Sequence, residues 1–97
     1  MTRHVLKCHA DNFDAITSGV KRFEVRHEDD RTFSVGDVLA LVRTDVDGKP
    51  TAPPRWCEVD VLFLSRRAGP LTLVGADVEG ERAPKPIVVM SIKGRPS

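Results

Sequence analysis

Lys21, Glu24 and Arg26 stand close together in the stretch Gly19-Val20-Lys21-Arg22-Phe23-Glu24-Val25-Arg26, which reads G-x-K-x-x-E-x-R. Two cations and an anion at this spacing have two uses. They can bind an anionic, polar ligand. Lys21 would then meet a phosphate or activate water, and Glu24 would hydrogen-bond a base edge or act as a general base. Arg26 would clamp a phosphate through two N–H groups. The same charges can also satisfy one another as an internal ion pair, and on charge alone that plainer reading leads.

Local structure must fix these groups. Asp11 suits a helix N-cap, with Asp14 in capping-box position. Phe13, Ile16 and Val20 follow at helical spacing, and Gly19 suits the left-handed position that stops a helix. The helix is therefore short, about two turns. Phe23 to His27 then alternates as a strand. Glu24 and Arg26 share one face, while Phe23 and Val25 share the other and are expected in the core. If Phe23 is fully buried, truncating it to Ala should cost about 3–5 kcal/mol.

The remaining pattern is mostly strand. His4 to His9 alternates, with His4, Leu6 and Cys8 on one face and Lys7 on the other. Glu28 to Arg31 reads as a solvated turn. Val38 to Val42 is continuously apolar, as in a strand covered on both faces. Asp47-Gly48 marks a hairpin tip, and Pro53 and Pro54 delay the next strand. From Trp56 to Leu64 the face of Cys57, Val59, Val61 and Phe63 alternates with that of Glu58, Asp60, Leu62 and Leu64. Residues 65–85 lack a clear period and read as a long loop, with one short strand around Leu71 to Val74. Ile87 to Ile92 closes the sheet. The expected core comprises Phe13, Ile16, Phe23, Val25, Val38, Val59, Val61, Val89 and Met90. One early helix with five or six short strands implies a mainly β, α+β domain, a small barrel or sandwich.

In addition to G-x-K-x-x-E-x-R, His4-Val5-Leu6-Lys7 reads H-x-L-K. Asn12-Phe13-Asp14-Ala15-Ile16 is an aromatic-bearing helix, and Asp30-Arg31-Thr32-Phe33-Ser34-Val35-Gly36-Asp37 reads D-R-x-F-x-V-G-D. Ile87-Val88-Val89-Met90-Ser91-Ile92 is an apolar closing strand. In this order, over nearly the whole chain, the blocks resemble the ASCH family of PUA-like β-barrels, in particular a group of small bacterial and phage proteins. The resemblance implies one PUA-like barrel over residues 1–97, with its helix between the first two strands. It also shifts the balance toward a functional Lys21–Glu24–Arg26 cluster, because the shared motif is polar. Some ASCH-like proteins are amidohydrolases acting on acylated cytidine nucleosides, and others are linked to RNA cleavage. The amidohydrolase pattern uses the motif Lys, a Thr and a distal Glu. Here Lys21 matches, Glu24 occupies the Thr position, and Glu79 and Glu81 are the distal candidates.

Composition narrows the function further. In 97 residues, 15 Lys+Arg balance 14 Asp+Glu, which leaves a net charge of +1 and excludes binding by bulk positive charge. Residues 65–97 carry a local basic excess, in which Arg66, Arg67, Arg82 and Lys85 could track a phosphate backbone. Trp56 could stack a base, but aromatics are too scarce for an extended stacking platform. His4 and Lys7 are further candidate ligand contacts. His4, His9 and His27 lack metal-ligand spacing, so no metal and no cofactor are expected. Neither Cys8 nor Cys57 has a nucleophile's partner pattern, and both read as apolar fillers. No apolar run reaches the ~20 residues of a membrane span, so a cytoplasmic monomer is expected. The leading function is an RNA- or nucleotide-binding module. The alternatives are a small hydrolase acting on a modified nucleoside or RNA, with Lys21 and Glu24 catalytic, and a protein-binding accessory factor.

Overall fold

The computed structural model describes residues 1–28, 31–67 and 87–95. The elements run β1 (Arg3–His9), α1 (Ala10–Thr17), β2 (Phe23–His27), β3 (Val38–Thr44), β4 (Trp56–Arg67) and β5 (Ile87–Gly94). The strands form one sheet in the order β1-β3-β4-β5-β2. β1 and β3 are parallel, whereas β3–β4, β4–β5 and β5–β2 are antiparallel. The sheet curls into a half-barrel, and with its single short helix the domain is a small, mostly β, α+β fold. Among the described residues, no helix is long and apolar enough to cross a membrane.

The inner face carries the core: Leu6 and Cys8 from β1, Phe13 and Ile16 from α1, Phe33, Leu39 and Leu41, Val59 and Val61, and Val88, Met90 and Ile92. β3 is buried continuously from Val38 to Leu41, as its unbroken apolar run predicts. Gly19 has φ +85° and ends the helix, its N–H bonded to the Ile16 carbonyl at 3.0 Å. The hairpin tip also forms as expected. Asp45 Oδ1 accepts the backbone N–H groups of Asp47 and Lys49.

Several expectations are corrected. The helix begins at Ala10, directly after β1, with His9 at the N-cap and no side-chain cap, so Asp11 lies in the first turn. Asp14 instead grips Arg43 of β3 through both carboxylate oxygens, at 2.9 and 2.8 Å. The helix stops before Val20, which is therefore exposed rather than buried. Phe23 and Val25 are each 48% exposed, Val89 is 38% exposed, and Glu24 is buried. The alternation of β2 is as expected, but its phase is reversed. β2 is an edge strand, and its inward face meets a polar cleft rather than packed apolar side chains.

Phe63 is also outside, for a different reason. A β-bulge between Val61 and Phe63 shifts the β4–β5 register. It reverses the alternation, so Phe63 points out and Leu64 packs against the core. β4 continues to Arg67, so the expected loop starts later than residue 65. The expected strand at Leu71 to Val74 lies outside the described residues, as do Glu79 and Glu81.

Candidate functional site

β1 and β2 are the two edges of the sheet, and the curl brings them face to face. Between them lies a cleft of about 610 Å³, lined by residues 6–9 of β1, Asn12 of α1, Lys21, residues 24–27 of β2, Arg31 and Phe33. No backbone ladder joins the two edges. The Arg26 side chain spans them. Its Nη2 donates to the Lys7 carbonyl at 2.7 Å and also contacts Glu24 Oε2 at 2.6 Å, while Nε donates to the same oxygen at 2.7 Å.

Glu24 is therefore half engaged. Its carboxylate is almost fully buried, and Arg26 takes Oε2 with two N–H groups. Oε1 lies 3.9 Å from Lys21 Nζ, beyond hydrogen-bond length, and accepts no hydrogen bond among the described residues. Lys21 Nζ donates to Asn12 Oδ1 at 2.9 Å and sits 4.9 Å over the Phe23 ring. A buried acceptor with spare capacity faces a cleft lined by four cationic side chains: Lys7, Lys21, Arg26 and Arg31. Glu24 is the only carboxylate among the described lining residues. The Cys8 thiol on the cleft wall is pushed up to about 11 by burial and, next, by the Glu24 carboxylate. It is a neutral surface at physiological pH, not a nucleophile.

The motif residues Lys21, Glu24 and Arg26 thus come together, and Lys7 joins them through its carbonyl. His4 does not. It is buried at the start of β1, on the face of Leu6 and Cys8 and against Phe33, with ring centroids 4.6 Å apart, and Nε2 pairs with Asp37 Oδ2 at 2.8 Å. Asp37 also accepts the N–H groups of Thr2 and Ser34. Burial raises its carboxyl, but the hydrogen bonds from His4, Thr2 and Ser34 outweigh it, and the group sits below its ordinary value. His4 is therefore a clasp between β1 and the turn before β3, and it is not among the residues lining the cleft.

Arg66 is likewise structural. It lies on β4, where Nε and Nη2 grip the two oxygens of Glu28 at 2.7 and 3.2 Å, and Nη2 donates to the Phe33 carbonyl at 2.6 Å. Glu28, expected in a solvated turn, has a nearly buried carboxylate that also accepts the Phe33 N–H. The Arg66 hydrogen bond, opposed by burial and helped by the Phe33 N–H, holds its carboxyl below the ordinary range. The Arg67 side chain, Arg82 and Lys85 lie outside the described residues. Trp56 is 60% exposed, beside Arg3.

Sequence reasoning missed Asn12, Arg31 and Phe33 as cleft residues. Asn12 carried a readable signal: the only amide on the helix, next to a core Phe and on the turn facing the motif Lys. No curated protein sequence is significantly similar to this chain. A family model described as a domain of unknown function, DUF3850, matches residues 3–71, which covers β1 through all of β4 and every described residue of the cleft. The chain belongs to that DUF3850 family.

Proposed function

We propose that the seam between β1 and β2 binds a nucleotide unit of RNA, and that the domain is an ASCH-type, PUA-like RNA- or nucleotide-binding module. The observation that carries this reading is Glu24 Oε1. It is a carboxylate oxygen that accepts no hydrogen bond among the described residues, set among cations in a cleft of about 610 Å³. Oε1 is open to the cleft and can accept a ligand N–H there. A nucleobase edge supplies that donor, and the phosphate of the same nucleotide supplies the anion for Lys21 and Lys7. The cleft volume falls within the range of small-ligand sites. Arg26 keeps both walls at a fixed separation, so the ligand meets a preformed site.

Hydrolysis in the same cleft, with Lys21 and Glu24 acting on the bound nucleotide, is the reading that product formation would bring forward. Calorimetric titration with the four ribonucleoside 5′-monophosphates tests the binding directly. Binding of at least one of them is expected, lost in Glu24→Gln and in Lys21→Ala. If none of the four binds at low salt, the nucleotide reading fails and the protein-partner reading leads.

A further inference from the structure

β2 has a second face. Phe23 and Phe63 are paired in register with the same residue, Ser91, from the two sides: Phe23↔Ser91 across β2–β5 and Phe63↔Ser91 across β4–β5. Both rings are exposed, at 48% and 64%. The backbone positions of the two aromatics are thus about 10 Å apart, two strand spacings, with a small serine between them. The serine also lines a groove of about 520 Å³ with Lys21, Arg22, Leu62, Lys93 and the core residues Ile16 and Ile92; neither ring lines it, and no carboxylate is among its described lining residues. Arg22 Nε reaches only the Gly19 carbonyl, at 3.3 Å, and Lys93 has no partner among the described residues. Lys21 lines this groove and the cleft alike.

We infer that this outer face is a stacking platform for single-stranded RNA, continuous with the cleft through Lys21. This rests on the nucleotide reading of the cleft and extends it from one nucleotide to a strand. One base would enter the seam. Its neighbours would stack on Phe23 and Phe63, while Lys21, Arg22 and Lys93 follow the backbone. The Ser91 hydroxyl on the groove floor offers a partner to a ribose 2′-OH. The charge pattern selects this occupant. The groove lining holds three cations and no carboxylate, and Asp60, opposite Lys93 in register, is taken up by Arg95 at 2.8 Å, so the groove complements a polyanion. A second copy of the chain would set Arg22 and Lys93 against their own counterparts, because a two-fold interface pairs a patch with itself.

The experiment compares the four ribonucleoside 5′-monophosphates with the four corresponding homohexamer RNAs, by fluorescence anisotropy and calorimetry. At least one hexamer should bind tenfold or more tightly than its monophosphate, on the order of what one stacked base contributes. Phe63→Ala should weaken that hexamer by about tenfold and leave the monophosphate unchanged. Lys93→Ala should reduce the hexamer's salt slope by about 0.7. Phe63 and Lys93 are exposed, so both variants keep the fold. Hexamers no tighter than monophosphates, or a Phe63→Ala variant that binds them normally, would overturn the platform while leaving the cleft reading intact. Phe63-dependent hexamer binding without any monophosphate binding would support the platform and remove the cleft reading. Self-association of the protein alone, abolished by Phe63→Ala and unaffected by RNA, would assign the face to a second copy and overturn the proposal.

Discussion

At the residue scale, the Glu24–Arg26 pair decides how β2 is oriented and whether the seam holds its shape. Glu24→Ala would leave the half-buried Arg26 without its partner, at a cost of about 3 kcal/mol. Phe23→Ala removes a half-exposed ring and should cost about 1 kcal/mol or less. Urea unfolding of the two variants checks this order, and its reversal would mean that β2 turns its other face inward. Cys8 gives a second check. Burial and the Glu24 carboxylate keep its thiol protonated, with a value near 11, so an alkylating reagent at pH 8 should label it only after unfolding. Rapid labelling of native protein would contradict the burial of that wall.

At the element scale, two buried carboxylates act as clasps. Glu28 joins the segment after β2 to Arg66 of β4, and Asp37 joins the turn before β3 to His4 of β1. Both sit below their ordinary values in the folded protein. Each therefore contributes stability that is fully present above its unfolded value, 4.5 for Glu28 and 3.8 for Asp37, and is lost as pH falls through the lower folded value. Thermal melts from pH 6 down to pH 2 should show Tm falling below about pH 4.5, with a shallower fall in Glu28→Gln. An unchanged acid slope in that variant would show that the Arg66 clasp carries none of the effect. These clasps also mark where sequence reasoning stops. The order of elements, the covered β3 and the motif cluster were legible from periodicity and spacing. Partners such as Arg66 for Glu28, separated by 38 positions, were not, because only the folded sheet brings them together. Alternation sets the period of a strand but not its phase. In β2 the phase follows from a strand neighbour, β5, far along the chain. In β4 one bulge reverses it midway, and no residue there announces the bulge.

At the scale of the whole molecule, a net charge of +1 leaves little long-range attraction for a polyanion. Affinity for one nucleotide should therefore follow the cleft and not the total charge. With a single phosphate held by Lys21 and Lys7, log K against log salt should fall with a slope no steeper than about −1. A ligand held between β1 and β2 also ties the two sheet edges together, and should raise Tm as its concentration passes Kd. A steeper slope for a mononucleotide would point to contacts outside the cleft.

The sheet order has a further consequence, for the timing of assembly. Every described cleft residue lies between positions 6 and 33, yet among the described strands β2 pairs along its backbone with β5 alone, which begins at Ile87. The cleft is encoded early in the chain and completed by β5. During synthesis, β1, β3 and β4 can pair first, while β2, with Glu24 and Arg26, waits for β5 to leave the ribosome. Only then do the two walls meet and Arg26 reach Lys7. A chain ending before Ile87 keeps every site residue and should bind no nucleotide, so a shortened protein is silent rather than partly active.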